Sequence, residues 1–286
     1  MTSGLTAKIY KMLRQYSISG ASGKTIAIDL LASDDALEKP IIIFAHGFKG
    51  FKNWGTHHLV ARYFANNGIN FLKFNFSHNG ISDPDGDAFD DLESFANNTF
   101  TKELFDLDQV VSFALSGKHF KKPSKIFLIG HSLGGAISII YSAENKEIDK
   151  LVTWASISSF RNLWSPEQEA TWKENGVLYF PNSRTNQQMP IYSTLLEDLI
   201  DHPKRLDILL ASAKVSQPWL ILHGDNDTPV PHHHAEQLKQ QLDHAELMLI
   251  PGADHVFNAK HPWDEEHLPP ALKEACDASM AFFKRP

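Results

Sequence analysis

Five residues, Gly130-His131-Ser132-Leu133-Gly134, constrain this chain more than any other stretch. They follow the strand-like run Lys125 to Ile129 and lead into the helix-like run Gly134 to Glu144. A turn this sharp holds its central residue in a strained backbone conformation and leaves no room for neighbouring side chains, which is why glycine flanks it. The expected product is an exposed Ser132 hydroxyl at the C-terminal edge of a sheet and at the start of a helix. Free amides and the helix dipole there favour negative charge developing on a substrate oxygen.

The rest of the chain supplies a sheet for that turn. β-branched or aromatic runs occur at Thr25 to Leu31, Ile41 to Ala45, Ile69 to Phe76, Lys125 to Ile129, Leu151 to Ala155, Trp219 to His223 and Glu246 to Ile250. Several are nearly continuous apolar strings, as strands covered on both faces are. Helical periodicity fills the gaps at Thr56 to Asn67, Thr101 to Leu115, Gly134 to Glu144, His233 to Leu242 and Pro270 to Phe283. Alternation of this kind predicts an α/β fold with a mainly parallel central sheet and helices on both faces. The first of these helices is expected to stop at Asn67-Gly68, since glycine readily adopts the left-handed conformation at a helix end.

From Ser158 to Asp207 the alternation fails. Phe160, Trp164, Trp172, Tyr179 and Phe180 are scattered among polar residues and Pro166, Pro181, Pro190 and Pro203. The expectation is an insertion over one sheet edge, a cap whose aromatics wall the site; the alternative is a connection that packs on the core. Without internal repeats or a clear linker, residues 1–286 read as a single domain with a cap at about 158–207.

Composition narrows the functions. A formal net charge of −7 gives no basic excess for phosphate backbones or anionic lipid, so neither nucleic acid nor a membrane is an expected partner. The single cysteine, Cys276, excludes an intrachain disulfide and a thiolate metal cluster, and reads as a buried free thiol. Met1 to Tyr10 includes Lys8 but no apolar core of signal-peptide length, and no apolar run approaches the roughly 20 residues of a membrane span. A cytoplasmic location follows by elimination.

A serine hydroxyl needs a histidine to take its proton and a carboxylate to orient that histidine. Among 15 histidines, His255 is selected by position: it lies in the Gly252-containing loop after the last strand-like run. Carboxylates at Asp225 and Asp227 follow the run ending at His223, with Pro229 and Pro231 stiffening the segment behind them. Asp254, beside His255, is a third contestant, although neighbouring side chains diverge and a role in shaping the turn suits it better. Oxyanion donors are expected from the amides of Leu133, after the nucleophile, and Phe48, in the loop His46-Gly47-Phe48-Lys49-Gly50 after an earlier strand.

Taken in chain order, His46-Gly47-Phe48, the glycine-flanked Ser132, Gly224-Asp225-Asn226-Asp227 and His255 resemble the α/β-hydrolase superfamily over Ile41 to Phe257. The loop at His46 and the small insertion are most similar to dienelactone-hydrolase-like and cinnamoyl-esterase-like esterases or to the serine aminopeptidase group. Serine at the elbow departs from the dienelactone hydrolases themselves, which use cysteine. The resemblance implies Asp227 as the acid, the third residue after the strand-ending glycine, leaving Asp225 as a turn residue bonded to its own backbone. It implies a serine hydrolase that cleaves small to medium acyl or aryl esters through an acyl-enzyme on Ser132, with no cofactor or metal. His46, Gly47, His131, Ser77 and Trp164 are the expected substrate contacts.

Other readings stay open. An aminopeptidase or amidase with the same residues needs acidic groups for a substrate amine, for which Glu167, Glu169 and Glu174 are candidates. A binding protein that kept the fold without catalysis is the other alternative. His232-His233-His234 and His57-His58 suggest a metal, but adjacent helical residues point in different directions. The acidic stretch Ser82 to Glu93 lacks calcium-loop spacing and reads as a solvated loop near the site mouth.

Overall fold

A computed structural model describes residues 13–32, 38–182 and 184–286. The reading of Met1 to Tyr10, Lys8 included, lies outside the described residues. An eight-stranded sheet runs in the order β1-β2-β4-β3-β5-β6-β9-β10. Its strands are β1 (Leu13–Ser19), β2 (Thr25–Leu31), β3 (Ile41–Ala45), β4 (Asn70–Phe74), β5 (Ile126–His131), β6 (Lys150–Trp154), β9 (Trp219–Gly224) and β10 (Glu246–Ile250). From β4 to β10 every neighbouring pair is parallel, while β1 and β2 pair antiparallel at one edge. This is the α/β-hydrolase fold.

The apolar strings are central because both their faces are covered. All five residues of β3 are buried, with one set of its side chains in a cluster containing helices Phe100–Leu115 and Leu133–Glu144. The other set joins helices His57–Asn66 and Pro270–Phe283 on the opposite face, where Cys276 is also buried. The first of these helices ends as expected, with Gly68 at φ +90. β1 escaped the sequence reading because it is polar and lies at the edge. Its side chains alternate between exposed and half-buried, and its stability comes from pairing with β2 through the short turn at Ala21–Gly23.

Residues 158–207 form structure of their own. Helices Pro166–Asn175 and Thr194–Asp201 flank a hairpin of β7 (Val177–Asn182) and β8 (Gln187–Tyr192). Trp172 is fully buried and donates its indole N–H to the Ile191 carbonyl at 2.7 Å; Trp164 stands edge-on to it. Phe160 stacks on Phe100 at 3.8 Å between centroids. These aromatics therefore fill the segment's own core and its contact with the sheet domain, where the sequence reading had them walling a substrate site.

Candidate active site

Strand register assembles the site. Ala45 lies opposite Gly130, which sets the loop after β3 beside the turn after β5. Gly224 lies opposite Ile250, which sets the loop after β9 beside the loop after β10. All four loops leave the C-terminal edge of the parallel strands, where open α/β sheets place their ligands.

Ser132 has φ +55 and ψ −118, a conformation that costs an L-residue about 1–3 kcal/mol. Its amide donates to the Trp154 carbonyl at 2.8 Å, anchoring the turn to β6. Glycine is required at 134 because a Cβ there would lie 2.3 Å from the Ala45 carbonyl oxygen. The Ser132 side chain is only 6% exposed, so the hydroxyl stands on the floor of a cleft and not on an open edge.

The Ser132 hydroxyl donates to His255 Nε2 at 3.0 Å, and His255 Nδ1 donates to Asp227 Oδ2 at 2.7 Å. The carboxylate fixes the tautomer: Nδ1 carries the proton and Nε2 presents its lone pair to the serine. Burial pushes the Asp227 carboxyl up, but hydrogen bonds from His223 and His255 outweigh it and hold the group well below the usual carboxylate range. Its other oxygen accepts the Val230 amide at 2.8 Å. Asp225 is exposed and takes the Gly252 amide at 2.7 Å, so it ties two loops together where a bond to its own backbone was expected. Asp254 shapes its turn, accepting the Val256 and Asn258 amides.

His223 was read only as a strand end. Its fully buried Nε2 lies 2.7 Å from the Val230 carbonyl and 3.2 Å from Asp227 Oδ2, both acceptors, so this nitrogen carries the proton. The side chain therefore closes the loop holding Asp227 and shares the carboxylate with His255. No local signal distinguishes it from a core histidine.

The amides of Leu133 and Phe48 were the expected oxyanion donors. Leu133 opens helix Leu133–Glu144, so its N–H has no partner within the helix. Phe48 is the second residue of a turn closed by Gly50 N–H to Gly47 carbonyl at 2.9 Å, a bond that leaves the Phe48 amide unused. His46 braces this turn: Nδ1 donates to the Gly47 carbonyl at 2.9 Å and Nε2 accepts the Phe76 amide at 3.3 Å. Burial pushes it down to about 4. His131 donates through Nε2 to the His255 carbonyl at 2.9 Å, and burial pushes it down to about 3. Both imidazoles are thus neutral supports of the loops they touch.

Ser132 and His255 open on a cleft of about 310 Å³ that His46, Gly47 and His131 also line. Trp54, Trp154, Val256 and Leu272 give it apolar walls; His57, His261, Asn182, Lys49 and Arg184 give it polar ones. Ser77 and Trp164 lie outside this lining. The Ser77 amide is taken by Asp106 and its hydroxyl by His78, which turns it to the Asp106 side. Trp164 borders a separate recess of about 10 Å³ behind Phe48 and Leu133, with its indole N–H on Glu169. The acidic stretch is largely exposed, although Asp85 pairs with the buried Lys52 and Asp87 with His261. His232 faces Glu236, and His234 meets the Ser158 hydroxyl. Among the described residues no group of three or more His, Cys, Asp or Glu is arranged to hold a metal, and no helix is long and apolar enough to cross a membrane.

A polarised serine on a strained elbow, on this sheet, defines the class: a hydrolase of the α/β type. The alpha/beta hydrolase family profile matches residues 42–265, and the chain belongs to that family. The AB hydrolase superfamily protein YisY of Bacillus subtilis (strain 168) is 23% identical over 259 residues, 80% of this chain and 89% of its own. The structure of Est1E from Butyrivibrio proteoclasticus with ferulic acid bound superposes with a TM-score of 0.71 at 21% identity, covering 94% of this chain and 97% of that one. A puromycin-hydrolyzing peptidase of Mycobacterium tuberculosis has a TM-score of 0.65 at 16% identity, with 95% of this chain and 38% of that one covered. At such identities the structural likeness shows the fold alone.

Proposed function

We propose that this protein is a serine carboxylic ester hydrolase working through an acyl-enzyme. The observation that carries this reading is the unbroken hydrogen-bond line from Ser132 through His255 to Asp227. Ser132 Oγ attacks the ester carbonyl as its proton passes to His255 Nε2. The imidazolium is stabilised by Asp227, and the oxyanion by the amides of Phe48 and Leu133. Collapse expels the alcohol, which takes the proton from His255. Water then attacks the acyl-enzyme with the same base, and the carboxylic acid leaves.

An ester is favoured over a peptide by the lining. Among the described residues that line the cleft none is Asp or Glu, and Asp87 at its rim is taken by Arg184 and His261, which leaves little suited to a substrate ammonium. Glu169 is engaged by Arg161, Lys173 and Trp164, and Glu167 and Glu174 are exposed outside the cleft. Residues 158–207 act in this reading as a cap whose hairpin end, through Asn182 and Arg184, closes one side.

Hydrolysis of p-nitrophenyl esters by wild type and Ser132→Ala, beside aminoacyl-p-nitroanilides, tests the reading. The substitution is expected to lower kcat by about a thousandfold or more and to abolish labelling by a fluorophosphonate. Retained turnover in Ser132→Ala, or preference for the anilide, would overturn it.

A further inference from the structure

We propose that the ester cleaved at Ser132 carries a carboxylate, bound by Lys49 and Arg184 on the cleft wall; this rests on the reading of Ser132 as the nucleophile. The chain as a whole is acidic, at −7, yet the described residues that line this cleft include two cations and no acid, the carboxylate of Asp87 standing just behind them. The cations arrive from separate segments, Lys49 from the oxyanion turn and Arg184 from the hairpin of the 158–207 segment.

Lys49 is placed at a structural cost. It has φ +56, where glycine is the cheaper residue, in the turn that presents the Phe48 amide. Its ammonium is half-buried, and burial lowers its affinity for the proton. It donates to the Pro181 carbonyl at 2.9 Å, and among the described residues no carboxylate pairs with it. At least two of its donors therefore remain for a ligand. A cation taken out of water without a counter-ion is unfavourable unless an anion arrives to meet it.

Arg184 is held for the same purpose. Its guanidinium carbon lies 5.5 Å from the ring centroids of both Phe51 and Phe89, and it donates to the Asp87 carbonyl at 2.7 Å. The Asp87 carboxylate is 3.8 Å away and is shared with His261 at 3.1 Å. Lys49, Arg184 and Asp87 together leave one positive charge beside the cleft, the complement of a single carboxylate, and a guanidinium is suited to bind one through paired N–H donors.

Matched substrates test this with the wild-type protein: monoethyl adipate against ethyl hexanoate, with the acid on the acyl side, and para-acetoxybenzoate against its methyl ester, with the acid on the alcohol side. In one pair the acid-bearing member is expected to have a kcat/KM about tenfold higher, through KM, and the pair that shows it tells which part carries the charge. Lys49→Met and Arg184→Met should each cut that ratio severalfold, and added salt should raise KM for the acid-bearing member alone. Equal or lower kcat/KM for the acid-bearing member in both pairs would overturn the inference. So would variants that slow both members of a pair equally, which would make the two cations tethers only. Turnover of neutral esters that depends on Ser132, without acid preference, sinks this inference and leaves the esterase reading standing; no turnover and no fluorophosphonate adduct takes down both.

Discussion

At the scale of single residues, the proposed site rests on a histidine outside the cleft lining. His223 donates to both the Val230 carbonyl and Asp227, and its buried Nδ1 has no hydrogen-bond partner. A shift of Asp227 by a fraction of an ångström would misalign His255, and misplacement of about 1 Å costs roughly a hundredfold in rate. In the proposed mechanism, His223→Leu should lower kcat for a neutral ester about 10- to 100-fold with little change in KM. His223→Gln, which keeps a donor of similar reach, should recover much of it. Equal kcat in the two variants would make His223 a packing residue. Its role was not legible because a strand-ending histidine looks alike whether it packs or positions. Position after a strand was the signal that pointed to His255, and of Asp225 and Asp227 it is Asp227 that lies buried against the imidazole.

At the scale of elements, the apolar strings were readable because strands covered on both faces leave no alternation to mistake. Their ion pairs were not. Asp29 on β2 is 4% exposed and accepts Lys52 at 2.9 Å and Lys73 of β4 at 2.8 Å. Burial pulls this carboxyl up, yet the two ammonium groups hold it below its ordinary value. The network ties β2 to β4 and to Lys52, in the segment that follows the turn at Gly47–Gly50. Removing the carboxylate leaves Lys52 with Asp85 alone and takes from the buried Lys73 its paired carboxylate, so Asp29→Ala should lose about 3–5 kcal/mol of unfolding free energy in urea. Adding Lys73→Met should restore part of that loss. If the single substitution cost under about 1 kcal/mol, the cations must be hydrated by other means.

For the whole molecule, one contribution to the response of stability to pH comes from a carboxyl far from any sequence motif. Glu103, at the start of helix Phe100–Leu115, is 5% exposed and accepts Asn98 at 2.7 Å through one oxygen, while its other oxygen has no partner. Burial pushes it up to about 8 from an ordinary 4.5. Below 4.5 it is protonated in both states. Between those values the unfolded chain releases the proton and the folded one keeps it, so this group's contribution to stability falls as pH rises, and the loss is complete above about 8. Glu103→Gln should remove this slope and stabilise the protein by about 2–4 kcal/mol at pH 7.5, read as thermal midpoints across pH. An unchanged slope would place the titration elsewhere. The amino-acid sequence by itself determined the alternation of strands and helices, the glycine-flanked turn and the chain order of Ser132, Asp227 and His255, because period and turn chemistry act over a few neighbours. Only the tertiary structure decided that Phe160, Trp164, Trp172 and Phe180 face inward, that Ser77 and Trp164 stand clear of the cleft, and that Lys49 and Arg184 line the same cleft. Those outcomes depend on strand register and burial, which join residues more than a hundred positions apart.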